Sequence, residues 1–254
     1  MNFSRLSVIL RNSSNVSTIR SPKIQTSLLH VGIPRESQNV TKNNTYQIAL
    51  DKHTLKTPAG APLITSNKHL AALIAGEWES QKTLLKQHSL PLTSLVARSI
   101  DTFEKNPSER QEVITRLLRY LDTDTVCYQE IYPDILVILQ RQYWDPIVDW
   151  VKKCYGVDIK ITNNIIGIQP PETKDRLKAV VERFDDLKLS AFERATMISK
   201  SFLIGLGLVE RKLTVEEAFK ASQVEIISQT MHWGEIEDGC IKRDSLLTPH
   251  SETK

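Results

Sequence analysis

The sequence predicts an α+β protein: a small amino-terminal unit mixing strands with helices, then a mainly helical second half. Three observations carry this expectation. Tyr46-Gln-Ile48-Ala-Leu50 alternates polar and apolar side chains, the period of a half-buried strand. From Ser66 onward apolar residues recur mostly at three- and four-residue spacing, with prolines and capping residues where helices begin. No tract reaches the roughly 18 apolar residues of a membrane span. The longest, Phe202 to Val209, stops at Glu210, Arg211 and Lys212.

Residues 1–35 stand outside this scheme. They contain no Asp or Glu and carry Arg5, Arg11, Arg20, Lys23 and Arg35 among seven serines. Phe3, Leu6 and Leu10 share one side of a helix flanked by Arg5 and Arg11, the acid-free amphipathic composition of a mitochondrial transit peptide. Val8-Ile9-Leu10 is too short for the apolar core of a secretory signal. Without this leader the chain has 28 basic and 30 acidic residues, a net charge of −2 in place of +3. That balance argues against nucleic acid, whose binding needs a basic patch on the folded domain.

The elements follow in order. Asp51-Lys52-His53 can turn the first strand, and Thr54 to Thr57 can return beside it until Pro58 ends the pairing. Ala59 to Pro62 reads as a loop and Leu63-Ile64 as a further short strand. Ser66 is placed to cap a helix running to about Lys86, with Leu70, Ile74, Trp78 and Leu85 on its apolar face. Pro91-Leu92-Thr93 opens the next helix, in which Leu95, Ser99 and Phe103 share a side. Ser108 is expected to cap a third, lined by Val113, Leu117 and Tyr120 or Leu121. Pro133 suits the first turn of a helix carrying Ile135, Leu136, Leu139 and Tyr143. Asp145-Pro146 then restarts the chain as cap and first helical residue. Val157 to Ile161 alternates as a strand that Ile165 to Ile168 can join. Leu177, Val181, Phe184 and Leu187 line an amphipathic helix, and Ala191 to Val209 forms a more buried one. Thr214-Val-Glu-Glu217 is a capping box that opens a last long helix ending near Gly234. The expected organisation is a transit peptide at 1–35, an α/β domain at 36–110, a helical domain at 111–242 and a flexible tail at 243–254.

Catalytic signatures are sparse. The chain has no phosphate-binding G-x-x-x-x-G-K-[ST], no H-E-x-x-H and no G-x-S-x-G. Gly205-Leu-Gly207 lies inside an apolar helical run, where close packing explains both glycines. Cys127, Cys154 and Cys240 are odd in number and far apart, which suits idle thiols better than a disulfide framework. His53, His69, His88 and His232 have no ligand partners at recognisable spacing. Asp122-Thr-Asp124 is the strongest catalytic candidate, since two carboxylates one residue apart can hold a divalent cation. The competing reading pairs Asp122 with Arg119 or Arg116 and makes Asp124 a cap. The alternative function is therefore a small metal-dependent matrix enzyme using Asp122 and Asp124. Otherwise no cofactor and no metal is expected.

A set of short strings is more specific. Leu50-Asp-Lys-His-Thr-Leu-Lys-Thr-Pro58 comes first, then Gly76-Glu-Trp-Glu-Ser-Gln81, Pro91-Leu-Thr93 and Ser99-Ile-Asp101. Leu121-Asp-Thr-Asp-Thr-Val-Cys-Tyr128, Gln140-Arg-Gln-Tyr-Trp-Asp-Pro-Ile-Val-Asp-Trp150 and Trp233-Gly234 follow. In this order and at these separations, over roughly residues 45 to 238, the set resembles the mitochondrial chaperones that assemble the catalytic head of ATP synthase by acting on its alpha subunit. The resemblance implies a small α/β domain joined to an orthogonal helical bundle. It implies a matrix chaperone that binds the unassembled alpha subunit, shields the face that later meets the beta subunit, and hydrolyses no nucleotide of its own. A monomer is expected.

The chain departs from the family pattern at two places. Val40-Thr-Lys-Asn-Asn44 is plain and polar where family members carry an aromatic-rich start. In the last helix, where the family tends to have two adjacent acids, Glu225 is followed by Ile226, with Gln229 and Trp233 in place. The client contact implied for this chain is therefore Glu225, Gln229 and Trp233, with Ala218, Ala221 and Ser228 as small neighbours. Trp78, Trp144, Asp145, Pro146 and Trp150 are expected to be structural, with one of Trp144 and Trp150 available as an exposed anchor.

The leader generates the first prediction. A fluorescent reporter fused behind residues 1–35 should enter mitochondria. A diffuse cytosolic signal would remove the transit-peptide assignment.

Overall fold

The computed structural model describes residues 45–50, 53–81, 89–163 and 168–234, and it has the predicted α+β composition. Two-residue strands make up its small sheets. β1 (Tyr46–Gln47) pairs antiparallel with β4 (Ile64–Thr65), and β2 (Ala49–Leu50) pairs antiparallel with β3 (His53–Thr54). Leu55 N–H donates to Ile48 O at 2.8 Å, and Leu63 N–H donates to Leu55 O at 2.8 Å, so the three segments meet at Ile48, Leu55 and Leu63. Ile48 and Leu63 are each only 1% exposed, which is what the predicted alternation requires.

Helices α1 (Lys68–Glu79) and α2 (Pro91–Arg98) cover this sheet and close a small core with Ile48, Leu63, Ala71, Ile74, Val96 and Ala97. The cap of α1 is Asn67 rather than the expected Ser66, its oxygen accepting from His69 N–H at 2.9 Å and Leu70 N–H at 3.2 Å. The helix starts one residue later than predicted, so Asn67 holds the cap position. The expected continuation to Lys86, with Leu85, lies outside the described residues. Glu77 leaves α1 to cap α2, its carboxylate accepting from Leu92 N–H at 2.6 Å and Thr93 N–H at 3.0 Å. Past Arg98 the helix widens into a π turn over Ser99–Glu104. Asp101 in that turn accepts from the Thr57 hydroxyl at 2.6 Å and Ala59 N–H at 3.0 Å, tying the sheet's loop to the helices.

The larger core belongs to the remaining helices. α3 (Pro107–Tyr120) begins at Pro107, after Asn106, so Ser108 lies inside the first turn instead of capping it. A 3-10 turn (Thr125–Cys127) leads to α4 (Asp134–Tyr143), with Pro133 at its cap position, and α5 (Asp145–Tyr155) follows. α5 ends at Gly156, whose φ of 62° is the left-handed geometry that glycine adopts without a Cβ penalty. Val157 to Ile161 does not form the predicted strand. Val157 and Ile159 are buried, but among the described residues the strand pairing near them is a parallel bridge from Thr162 to Tyr128, and Ile165 falls outside the described residues.

α6 (Pro171–Glu182), α7 (Asp186–Ser199), α8 (Phe202–Val209), α9 (Val215–Ser222) and α10 (Val224–Trp233) complete the chain. The helix expected through Leu177, Val181, Phe184 and Leu187 ends at Glu182, and Asp185 caps α7 by accepting from Lys188 N–H at 2.7 Å. The two expected after it are each split. Lys200 takes φ 54° and Ser201 caps a new helix by accepting from Ile204 N–H at 3.0 Å, which folds α8 back on α7. The capping box at Thr214 and Glu217 is present as predicted, but it opens α9, and Gln223 separates α9 from α10. Both breaks let an apolar segment turn and bury a second face. Among the described residues no helix is long and apolar enough to cross a membrane.

Asp124 joins two of these elements from within the core. It is 2% exposed, and its oxygens accept from Val126 N–H at 3.0 Å in the 3-10 turn and Leu203 N–H at 3.0 Å at the start of α8. Burial pushes its carboxyl up to about 6 from 3.8, against the pull of hydrogen bonds from Ser201, Leu203, Val126 and Phe202. Between about pH 4 and 6, on these values, the folded chain keeps a proton here that the unfolded chain has released. Stability due to Asp124 therefore falls as pH rises through that window, by up to about 3 kcal/mol, and is level above it. The stability difference between the parent and Asp124→Asn, read from urea melts at several pH values, should show this slope. A difference that stays flat from pH 4 to 6 would contradict it.

Candidate protein-binding surface

α10 has two unlike sides. Val224 and Ser228 are buried and Ile227 packs on the larger core, whereas Glu225, Ile226, Gln229 and Trp233 are exposed. Glu225, Gln229 and Trp233 follow at four-residue spacing, so they form one stripe on the outer side, with Ile226 along its flank. Trp233 is 74% exposed, and its ring meets His232 edge-on at 4.8 Å. The structure thus places the three predicted residues on one accessible face. The small residues near Glu225 have a different reason from the one expected. Ala218 and Ala221 are buried, which lets α9 lie close to its neighbours, and Ser228 is buried on the inner side of α10.

The predicted structural residues are distributed over both cores. Trp144 is 1% exposed, and its indole N–H donates to Ala221 O at 2.8 Å, joining the α4–α5 corner to the end of α9. Trp150 is half-buried against the larger core and meets Tyr155 edge-on at 5.8 Å, so neither tryptophan of this pair is an exposed anchor. Asp145 accepts from the Gln129 side chain at 3.2 Å, and Pro146 occupies the first turn of α5; Trp144, not Asp145, holds the cap position. Trp78 is only half-buried, beside the small core, and its indole N–H donates to the Thr93 hydroxyl at 3.0 Å.

The Asp122 and Asp124 carboxylates are committed to different jobs. Asp122 accepts from Gln169 N–H at 3.0 Å and from Lys174 Nζ at 2.7 Å, not from Arg116 or Arg119. Asp124 is turned into the core, as described above. Their oxygens do not converge on one point, and no group of three His, Cys, Asp or Glu side chains able to hold a metal occurs among the described residues. Burial raises the Cys127 thiol far above its ordinary range, which keeps it protonated, and Cys154 is exposed.

Further exposed apolar residues lie outside the predicted set. Ile131, Tyr132 and Ile138, in and just before α4, are large apolar side chains facing solvent. One signal was available in the sequence, because Ile138 lies off the apolar stripe of Ile135, Leu136, Leu139 and Tyr143.

An exposed helix stripe ending in a tryptophan is a side-chain combination that protein-binding surfaces favour. Comparison with known proteins gives the family. The family model described as ATP12 chaperone protein matches residues 30–152. Mitochondrial protein atp12 of Schizosaccharomyces pombe is 32% identical over 207 residues, covering 78% of this chain and 71% of the relative. Mitochondrial protein ATP12 of Saccharomyces cerevisiae is 29% identical over 232 residues, covering 75% and 71%. The crystal structure of Atp12 from Paracoccus denitrificans superposes with a TM-score of 0.70 at 27% identity, covering 82% of this chain and 86% of that one. A protein from Agrobacterium tumefaciens gives 0.70 at 30% identity, covering 76% and 72%. The chain belongs to the ATP12 chaperone family.

The contrast between buried and exposed tryptophans is testable by thermal melts. Trp144→Ala should cost about 3–5 kcal/mol, through a core cavity and a carbonyl left without its donor. Trp233→Ala should change stability by no more than about 0.5 kcal/mol. An early melt for the Trp233 variant would mean that its ring is packed rather than presented.

Proposed function

We propose that this protein is a mitochondrial matrix chaperone that binds the unassembled alpha subunit of ATP synthase and promotes assembly of the catalytic head. It does so by binding alone, without catalysis or ATP hydrolysis of its own. Family membership and the mitochondrial names of the relatives support the general reading, and the acid-free leader supports the compartment. The observation that carries the contact is the Glu225, Gln229 and Trp233 stripe. Trp233 offers a large, stiff apolar surface, the side-chain type most enriched at binding hot spots. Glu225 pairs with no lysine or arginine among the described residues, so its charge is available to a basic group on the client. Asp122 and Asp124 serve the fold, so no observation favours the metal-enzyme alternative.

Alpha subunit diluted from denaturant should scatter less light when equimolar chaperone is present and nucleotide is absent. Unchanged aggregation, or protection that appears only with ATP hydrolysis, would refute the proposal. Glu225→Gln keeps the side-chain shape and removes the charge. It should leave the melt within about 0.5 kcal/mol of the parent and weaken alpha-subunit binding by about 1.5–3 kcal/mol. Titration of the variant at parent affinity would remove Glu225 from the contact.

A further inference from the structure

The lead-in to α4 holds two of the most exposed apolar side chains among the described residues, Ile131 at 82% and Tyr132 at 71%. The backbone around them is pinned. Gln129 N–H donates to Thr162 O at 2.9 Å, and its side chain donates to Val126 O at 3.3 Å and Asp145 Oδ1 at 3.2 Å. Gln140, buried on α4, donates from its amide to Glu130 O at 3.0 Å and accepts from Glu130 N–H at 3.2 Å. A buried glutamine thus clasps this backbone as a neighbouring strand would. Apolar side chains shown on a pinned backbone lose little freedom on binding, the condition for a pre-organised contact.

α10 packs along α4, and the Trp144 indole at the end of α4 reaches Ala221 O just before α10 begins, so the two helices run antiparallel. The Tyr128 hydroxyl, which donates to Glu130 at 2.6 Å, is held above its ordinary range by that hydrogen bond first, then by loss of solvent and by the charges of Glu130 and Glu225. The charge of Glu225 therefore reaches Tyr128. Of the thirteen large apolar side chains exposed among the described residues, Ile131, Tyr132, Ile138, Ile226, Met231 and Trp233 sit on these two helices and the lead-in. Ile226 and Trp233 lie on the outer side of α10, and Ile138 and the lead-in pair are exposed on the element packed against it, so one partner lying along both can meet them. The charges around them are mostly acidic: Glu130, Asp134 and Glu225 pair with no lysine or arginine among the described residues, against Arg141 on α4 and His232 on α10.

We propose that Ile131, Tyr132 and Ile138 form the second half of the client contact, so that the client is held across the α4–α10 pair by an apolar segment flanked with lysine or arginine. This rests on the α10 reading above and extends it to the other helix. Charge complementarity selects the partner, because an acid-fringed apolar face favours a basic-edged apolar segment over a neutral one.

The test uses the full chain and purified alpha subunit, with Ile131→Ser/Tyr132→Ser as one variant and Ile138→Gln as another. Both should melt with the parent and bind about ten- to a hundredfold more weakly. Leu73→Ser on α1, 59% exposed and outside this surface, should bind as the parent does. Raising salt should weaken parent binding. Parent affinity for the lead-in and Ile138 variants, with Glu225→Gln still impaired, would overturn this inference and leave the α10 reading standing. Parent affinity for all of them would overturn both. Weak binding accompanied by an early melt would make these residues structural and also overturn it. Self-association of the parent that these substitutions abolish would make a second copy the occupant, against the proposal.

Discussion

Glu193 sits on α7 with its side chain only 9% exposed, between two guanidinium groups. Arg98 at the end of α2 approaches it with Nε at 3.1 Å and Nη2 at 3.2 Å, and Arg116 on α3 with Nη2 at 2.6 Å. A nearly buried carboxylate is tolerated only when paired in this way. The planar fork of Arg98 fixes direction as well as distance, and its guanidinium also lies 5.4 Å from the Phe103 ring. Ser190, one turn earlier on α7, donates to Leu95 O at 3.0 Å. These contacts set α2 and its small core on α7, and α7 in turn carries α8. Burial alone would let the two cores slide over each other, because apolar contact has no preferred direction. The charged cluster supplies that direction.

From α7 the positioning passes to the proposed binding surface through a few close contacts. A Cβ on Gly205 would lie 2.5 Å from the Thr196 hydroxyl and 3.1 Å from its backbone nitrogen, so α8 approaches α7 as near as two helices can. Asp124 ties the start of α8 to the 3-10 turn, Trp144 ties the α4–α5 corner to α9, and Gln140 ties α4 to its own lead-in. Asp124, Trp144 and Gln140 each bring a buried polar group to a partner, the kind of contact that selects one packing from several of similar apolar area. α10 and the α4 lead-in therefore stand on a framework whose geometry is set in the core.

That framework explains which features could be read from the sequence. Helical period showed most of the helices and capping chemistry the box at Thr214, since both are local, whereas the caps expected at Ser66, Ser108 and Asp145 fall one or two residues away. The breaks at Lys200 and Gln223 were not legible, because each is decided by what a continuous helix would fail to bury. The predicted strand at Val157 to Ile161 erred for a related reason: alternation records which side chains are buried, and a segment buried against helices alternates as a strand does. The strings that carried the family resemblance prove to be largely internal staples. Glu77 and Trp78 meet Thr93, Asp101 meets Thr57, and Asp124 holds α8. They identify the fold more than the contact, which is why Trp78 and Trp144 carried a clear structural signal. The exposed face was harder. Glu225, Gln229 and Trp233 came from resemblance, and Ile131 and Tyr132 gave no local sign, because exposure of an apolar residue depends on what does not cover it.

The proposed function also carries a thermodynamic requirement. A chaperone that hydrolyses nothing has no energy source with which to drive its client off. Release must come from competition, so the client's final neighbour has to bind the shared surface more tightly than the chaperone does. That sets an upper limit on chaperone affinity, while suppression of aggregation sets a lower one. A face built from one helix stripe and a short pinned lead-in suits the interval. Its rigidity keeps the ordering cost of binding low, so a modest apolar area can hold the client. Its acidic fringe accelerates encounter with a basic partner more than it deepens affinity. Fast capture with limited residence lets a binding protein compete with aggregation and still give way to assembly. A larger apolar face would bind harder and surrender the client less readily.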